Sequence, residues 1–152
     1  LAVSTAALAM RGRRFHTNLV LAYEDPLDRI KEHKEIIELD EIKIDNQKYW
    51  EEIISAMQNV IQGNGTARNV GKDAPYRMAG KSGTVQVISI GQEEEYDEDN
   101  IEEKFRDHAL FISFAPTESP KIAVSVIIEN GQSGSQVAAP IAKAIMDKYL
   151  GY

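Results

Sequence analysis

Met78-Ala79-Gly80-Lys81-Ser82-Gly83-Thr84-Val85-Gln86-Val87 sets one lysine between two glycines and leads into alternating β-branched residues. Gly80-Lys81-Ser82 admits a phosphate-binding reading, as the end of a GxxxxGK[ST] loop. That loop needs a glycine where Pro75 stands, and a helix immediately afterwards whose N-terminus faces the phosphates. Val85, Val87 and Ile90, spaced by Gln86 and Ser89, alternate as a strand does. The pattern therefore predicts a strand over residues 76–90, and the phosphate loop fails on both counts.

Toward the C-terminus, Ala109 to Ala115 and Ile122 to Glu129 are apolar runs rich in Phe, Val and Ile, joined by Pro116-Thr117-Glu118-Ser119-Pro120. They predict a hairpin, and their two apolar faces predict central strands of a helix-covered sheet. Asn130-Gly131 breaks the second strand. A last helix is expected after Ser135, with Val137, Ile141, Ile145 and Tyr149 stacked at i+4 and Pro140 in its first turn. Between the strands, Gln92 to Glu103 carries carboxylates at 93–95, 97–99, 102 and 103 and reads as a solvated loop. It lacks the alternation and fixed glycine of a calcium loop.

Toward the N-terminus, Asn46 to Gln62 is the clearest helix. Asp45 or Asn46 can cap it, Glu51 and Glu52 favour its first turns, and Trp50, Ile53, Ile54, Met57, Val60 and Ile61 mark one buried face. Gly63-Asn64-Gly65 ends it. Residues 24–45 read as a charged, exposed excursion with short strands at 36–39 and 42–44, after extended structure over 15–23. Leu1 to Met10 is an Ala-rich helix with small residues on every side, expected to be buried and stopped by Gly12. Because the chain starts inside that helix, at Leu1, it is expected to be a fragment whose earlier part lies elsewhere.

The 152 residues carry a formal net charge of -7, which argues against a nucleic-acid surface, since phosphate binding needs clustered cations. The short cluster of Arg11, Arg13 and Arg14 reads as a solvated helix end. With no cysteine, thiolate metal sites, thiol nucleophiles and disulfides are excluded. His16, His33 and His108 lack metal-ligand spacing. Asp107-His108 near Ser113 suggests a triad, but neighbouring strand residues point to opposite faces, so these two more readily support the sheet end or a cleft rim. Gly131 to Ser135 reads as a connection, with a flexible binding loop as the alternative.

Lys81-Ser82-Gly83 also fits the Lys-[Ser/Thr]-Gly signature of penicillin-recognising serine enzymes. A strand bordering an acyl-transfer cleft needs close approach, which Gly83 permits by having no Cβ. Lys81 places a cation beside the substrate's carboxylate and the nucleophile's proton transfers. Ser82 and Thr84 offer hydroxyls to that carboxylate. The backbone N–H of Thr84 is placed to donate to an oxyanion, a contact whose loss typically costs about 10²–10³ in rate.

The segment 78–87 resembles the motif strand of class B penicillin-binding proteins. Arg106-Asp107-His108, Phe114-Ala115-Pro116 and Ile128-Glu129-Asn130-Gly131 are similar to the following strands of the penicillin-binding protein 2 group. Leu1 to Ala9 is similar to that family's Ala-rich helix, and Gly65-Thr66-Ala67 matches its link after the next helix. The resemblance implies an α+β fold, an antiparallel sheet flanked by helices, as part of a penicillin-binding protein or serine β-lactamase-like transpeptidase domain. Residues 1–152 would be its C-terminal part, without the nucleophile-bearing half and the membrane anchor. It further implies a serine DD-transpeptidase that cross-links peptidoglycan in cell elongation, in the bacterial periplasm, anchored in the inner membrane. Lys81 and Thr84 would be catalytic, and Ser82, Gly83 and Thr84 would bind substrate, with no metal or cofactor.

The implied partners are stem peptides ending in D-Ala-D-Ala, β-lactam antibiotics, the remainder of the same domain and a cell-elongation glycosyltransferase. No serine here has a lysine three residues on, and no [Ser/Tyr]-x-Asn occurs. The chain alone is therefore expected to be inactive. Two other readings stay open on the motif alone: a carboxypeptidase, β-lactamase or β-lactam sensor, and a non-catalytic interaction module.

Overall fold

The structure is a computed structural model and describes residues 1–87 and 101–152. Its centre is a three-stranded antiparallel sheet in the order β5-β6-β7, formed by Ala79–Val85, His108–Ala115 and Ile122–Ile128. Ser82 pairs with Phe111, and Phe111 with Val126. Side chains alternate between the two faces of this sheet. Phe111, Ala115, Val124 and Val126 lie on one face and pack against α4 (Ala139–Leu150) and the π turn Gly134–Ala138 before it. Ile112, Phe114 and Ala123 lie on the other, against α1 (Ala2–Ala9). Helices thus cover both faces, as the two-sided apolar strands predict, but among the described residues only β6 is central and β7 lies at the edge. Phe111 and Phe114 are fully buried, about 1.5–3 kcal/mol each by transfer.

The helix α2 (Lys48–Gln62) joins these two cores. Ile54 and Met57 belong to the α1 side and Ile61 to the α4 side, and the helix packs on β5. Its start is tied by Asn46, whose Oδ1 accepts the Lys48 N–H at 3.1 Å. Of the expected face, Trp50, Ile54, Met57 and Ile61 are buried, Val60 is half-buried and Ile53 is exposed. A short helix, α3 (Arg68–Gly71), follows the link 63–67.

Several expectations are corrected. The motif strand begins at Ala79, not Tyr76: the register would set Arg77 opposite Pro116, which has no N–H to donate, and the Arg77 carbonyl accepts from the Thr117 N–H at 3.1 Å instead. It ends at Val85, and residues 88–90 lie outside the described residues. The helix α1 exposes residues 1–4 but buries Thr5, Ala7 and Ala9, which at i+2 spacing lie on opposite sides, so only its C-terminal half is buried all round. In the excursion, β1 (Arg14–Phe15) pairs with β4 (Glu38–Leu39), and β2 (Ala22–Glu24) pairs with β3 (Lys31–His33). Residues 42–44 form no strand. The expected stack on the last helix points outward: Val137, Ile141, Ile145 and Tyr149 are exposed, while Ala138, Ala139, Ala142 and Met146 are buried. The alanines let α4 approach the sheet closely, and the bulkier stripe is left over.

Candidate active site

Residues 81–84 are extended and sit on β5, which among the described residues is an edge strand of the sheet. Lys81, Thr84 and Val85 are exposed and Ser82 and Gly83 half-buried, so the tetrapeptide is neither helical nor covered. By register, Ser82 and Thr84 share the face of Phe111, and Lys81 and Gly83 share the face of Ile112. The lysine is nonetheless drawn to its neighbour, because its Nζ donates to the Ser82 carbonyl at 2.6 Å. The Ser82 hydroxyl lies 3.3 Å from the hydroxyl of Thr66 in the α2–α3 link.

The two glycines of the motif differ in what the fold asks of them. A Cβ on Gly80 would lie 2.8 Å from the Ile112 carbonyl and 2.9 Å from both Ile61 and Phe111. Packing alone therefore requires glycine at 80. A Cβ on Gly83 would meet only Leu110 Cβ, at 3.4 Å, an ordinary contact. Nothing within the described residues demands glycine at 83.

The strand is buttressed at its Val85 end by residues outside the motif. The His108 Nδ1 accepts the Asn130 N–H at 3.0 Å, and Asn130 Nδ2 donates to the Arg106 carbonyl at 2.8 Å. The Asp107 carbonyl accepts the Gln132 N–H at 2.8 Å. This network holds Asn130 and Gln132 at φ +55 and +58 and folds Gly134 down onto the carbonyls of Leu110 and Gly83. Residues 131–135 are thus a packed support. His108 and Ser113 face opposite sides of β6, so the triad is absent, and Asp107 and His108 serve the sheet end.

His16 and His33 are exposed, far from the motif in sequence and outside its strand. Among the described residues, no group of three or more His, Cys, Asp or Glu is arranged to hold a metal. Of the acidic stretch, residues 92–100 lie outside the described residues, and Glu102 and Glu103 are exposed. Sequence reasoning missed the Thr66–Ser82 contact and the packing of Gly134. Both join residues far apart in the chain, so no local pattern announces them.

A helix-covered antiparallel sheet with Lys-Ser-Gly-Thr on its open edge strand is the arrangement of penicillin-recognising proteins. The chain belongs to the penicillin-binding protein transpeptidase domain family, which matches residues 1–147. The peptidoglycan D,D-transpeptidase MrdA of Haemophilus influenzae is 46% identical over 102 residues, 66% of this chain and 16% of that protein. A crystal structure of Pseudomonas aeruginosa PBP2 in complex with WCK 5153 matches at a TM-score of 0.68 and 36% identity, over 96% of this chain and 28% of that one. Penicillin-binding protein A of Mycobacterium tuberculosis, as an imipenem acyl-enzyme complex, shares the fold at a TM-score of 0.71 and 24% identity, over 98% of this chain and 29% of that one. The chain thus spans a small part of the length of each of these relatives.

Proposed function

We propose that this chain is the C-terminal part of a serine-type peptidoglycan DD-transpeptidase and supplies one wall of its active site. The observation that carries the reading is the placement of Lys81 to Thr84 on an open sheet edge, with a glycine at 83 that packing does not require. A serine of the remaining part of the domain attacks the carbonyl between the two D-alanines of a stem peptide. The peptide C–N bond breaks, terminal D-Ala leaves with a proton, and an acyl-enzyme forms. An amine of a neighbouring strand then attacks the ester, and the serine regains its proton. Lys81 lends positive charge to these proton transfers. Ser82 and Thr84 hydroxyls hold the substrate's terminal carboxylate, Gly83 admits its backbone, and the Thr84 N–H donates to the oxyanion. β-Lactams follow the first half and stay attached.

The rest of the domain is the first partner this reading requires. In support, β7 has no strand on its outer edge among the described residues, and Ile127, Ile141, Ile145 and Tyr149 are exposed beside it. Among the described residues no helix is long and apolar enough to cross a membrane. A periplasmic location with an inner-membrane anchor would therefore draw on the parent protein beyond this chain, as would contact with a cell-elongation glycosyltransferase.

The test is covalent labelling by a fluorescent penicillin. The full-length protein takes up one label that survives denaturation, and residues 1–152 alone take up none. A full-length protein that stays unlabelled sinks the reading and favours a non-catalytic module.

A further inference from the structure

We propose that Thr66 is a positioning residue that turns the Ser82 hydroxyl toward the substrate's carboxylate; this rests on the acyl-transfer reading and deepens it. Thr66 belongs to the link between α2 and α3, and that link is fixed on both sides of it. The Gly65 N–H donates to the Asn59 carbonyl at 3.2 Å, and the Ala67 N–H to the Val60 carbonyl at 3.0 Å. A Cβ on Gly65 would fall 2.3 Å from Val60 Cα, so the link runs hard against the end of α2. Ala67 is buried at 1% exposure. The end of α2 is in turn seated on the sheet, where Ile61 is buried in the same core as Phe111 and Met78. Link and motif strand therefore hold a fixed separation, with the Thr66 and Ser82 hydroxyl oxygens 3.3 Å apart.

The Thr66 side chain is exposed, so neither packing nor a buried polar partner explains it. The explanation lies in proton direction. A serine hydroxyl has one proton and two acceptor lone pairs, whereas a carboxylate only accepts. Ser82 must spend its single proton on the substrate, and its contact with Thr66 then works only if Thr66 donates. The order is Thr66 O–H to Ser82 Oγ, and Ser82 O–H to carboxylate, each bond polarising the next. Thr84 stands two residues on, on the same face of the strand, so the carboxylate meets two aligned donors.

The experiment uses the full-length protein as wild type, Thr66→Val and Thr66→Ser, each also in a Ser82→Ala background. Acylation is measured with a fluorescent penicillin carrying its free carboxylate and with the methyl ester of the same compound. Thr66→Val should slow acylation by the free acid about three- to tenfold, the span of one neutral hydrogen bond. The loss should fall in the binding constant, not the maximal rate. The ester should react equally with both proteins, Thr66→Ser should restore the wild-type rate, and Thr66→Val should have no effect beside Ser82→Ala. Equal losses with acid and ester, a loss that persists without the Ser82 hydroxyl, or no loss at all would overturn the assignment. A Thr66→Val protein with a lowered melting temperature and ester reactivity reduced in step would overturn it too, in favour of a structural role. Wild type that takes no label fails the acyl-transfer reading itself, an outcome distinct from labelled wild type with an unaffected variant.

Discussion

Alanine placed at Gly80 and at Gly83 should produce opposite failures, although the two positions lie three residues apart on one strand. At 80 the new methyl meets a backbone carbonyl at 2.8 Å and two packed side chains at 2.9 Å. The carbonyl belongs to the neighbouring ladder and cannot yield, so the variant should lose about 1–3 kcal/mol by overpacking. At 83 the nearest atom is Leu110 Cβ at 3.4 Å, and Gly83 is not among the positive-φ glycines. Alanine fits there, and its less flexible unfolded chain should stabilise the protein by about 0.4–1 kcal/mol. The gap between the variants is then about 1.5–4 kcal/mol, read as urea midpoints of the full-length protein.

Activity should run the other way. On the acyl-transfer reading the Gly83→Ala methyl stands where the bound substrate's backbone approaches, and a displacement of about 1 Å can cost 10²-fold in rate. Gly83→Ala should therefore fold normally and label with penicillin at least tenfold more slowly, on the order of one misplaced contact. Gly80→Ala should label at close to the wild-type rate per folded molecule. A Gly83→Ala protein as reactive as wild type, or as unstable as Gly80→Ala, would refute the division of roles.

Two further outcomes follow from the same geometry. The Asp147 carboxylate accepts from the Tyr76 hydroxyl at 2.7 Å and pairs with Lys143. Burial raises its pKa, but the bonds from Lys143 and Tyr76 outweigh that and hold it below the usual carboxylate value. A lowered folded pKa adds stability above the unfolded value of about 3.9 and loses it as pH falls through the folded one. Asp147→Asn should thus cost about 1 kcal/mol at pH 7 and converge on wild type in acid, as urea titrations at several pH values would show. Expressed alone, residues 1–152 should give no cooperative melting transition in a monomer, because the stripe on α4 is left exposed among the described residues; a sharp calorimetric transition would contradict this.

The strands β6 and β7 and the helix α2 were legible because each carries its signal within one short window. Phe111, Phe114, Val124 and Val126 announce a two-sided strand pair, and Trp50, Ile54, Met57 and Ile61 announce a helix face. The extended backbone of residues 81–84 was likewise legible, because Val85 and Val87 alternate after the glycines and Pro75 breaks the phosphate-loop pattern. What was not legible depends on partners distant in sequence. Lys31–His33 becomes a strand only by meeting Ala22–Glu24, and β-propensity is set by such context. Thr66 looks like any exposed threonine until Ser82 is brought beside it.

The reversed face of α4 shows why hydrophobicity alone misjudges burial. The helix has two apolar stripes, one of alanines with Met146 and one of Ile141, Ile145 and Tyr149. Counting carbon atoms selects the second, but a sheet already filled by Phe111 and Val126 leaves room for alanines and the one unbranched Met146, not for a row of branched and aromatic side chains. The larger stripe then lines an open groove of about 790 Å³ with Ile122, Ala144 and Lys148. The same division operates at the motif strand. Gly80 is consumed by packing against β6 and α2, while Gly83, three positions on, is left free of it. On the acyl-transfer reading, a strand enclosed at Gly80 and supported at its other end only from the side of Gly134 is rigid enough to aim donors and open enough to receive a peptide. Catalysis by preorganised donors needs both properties together.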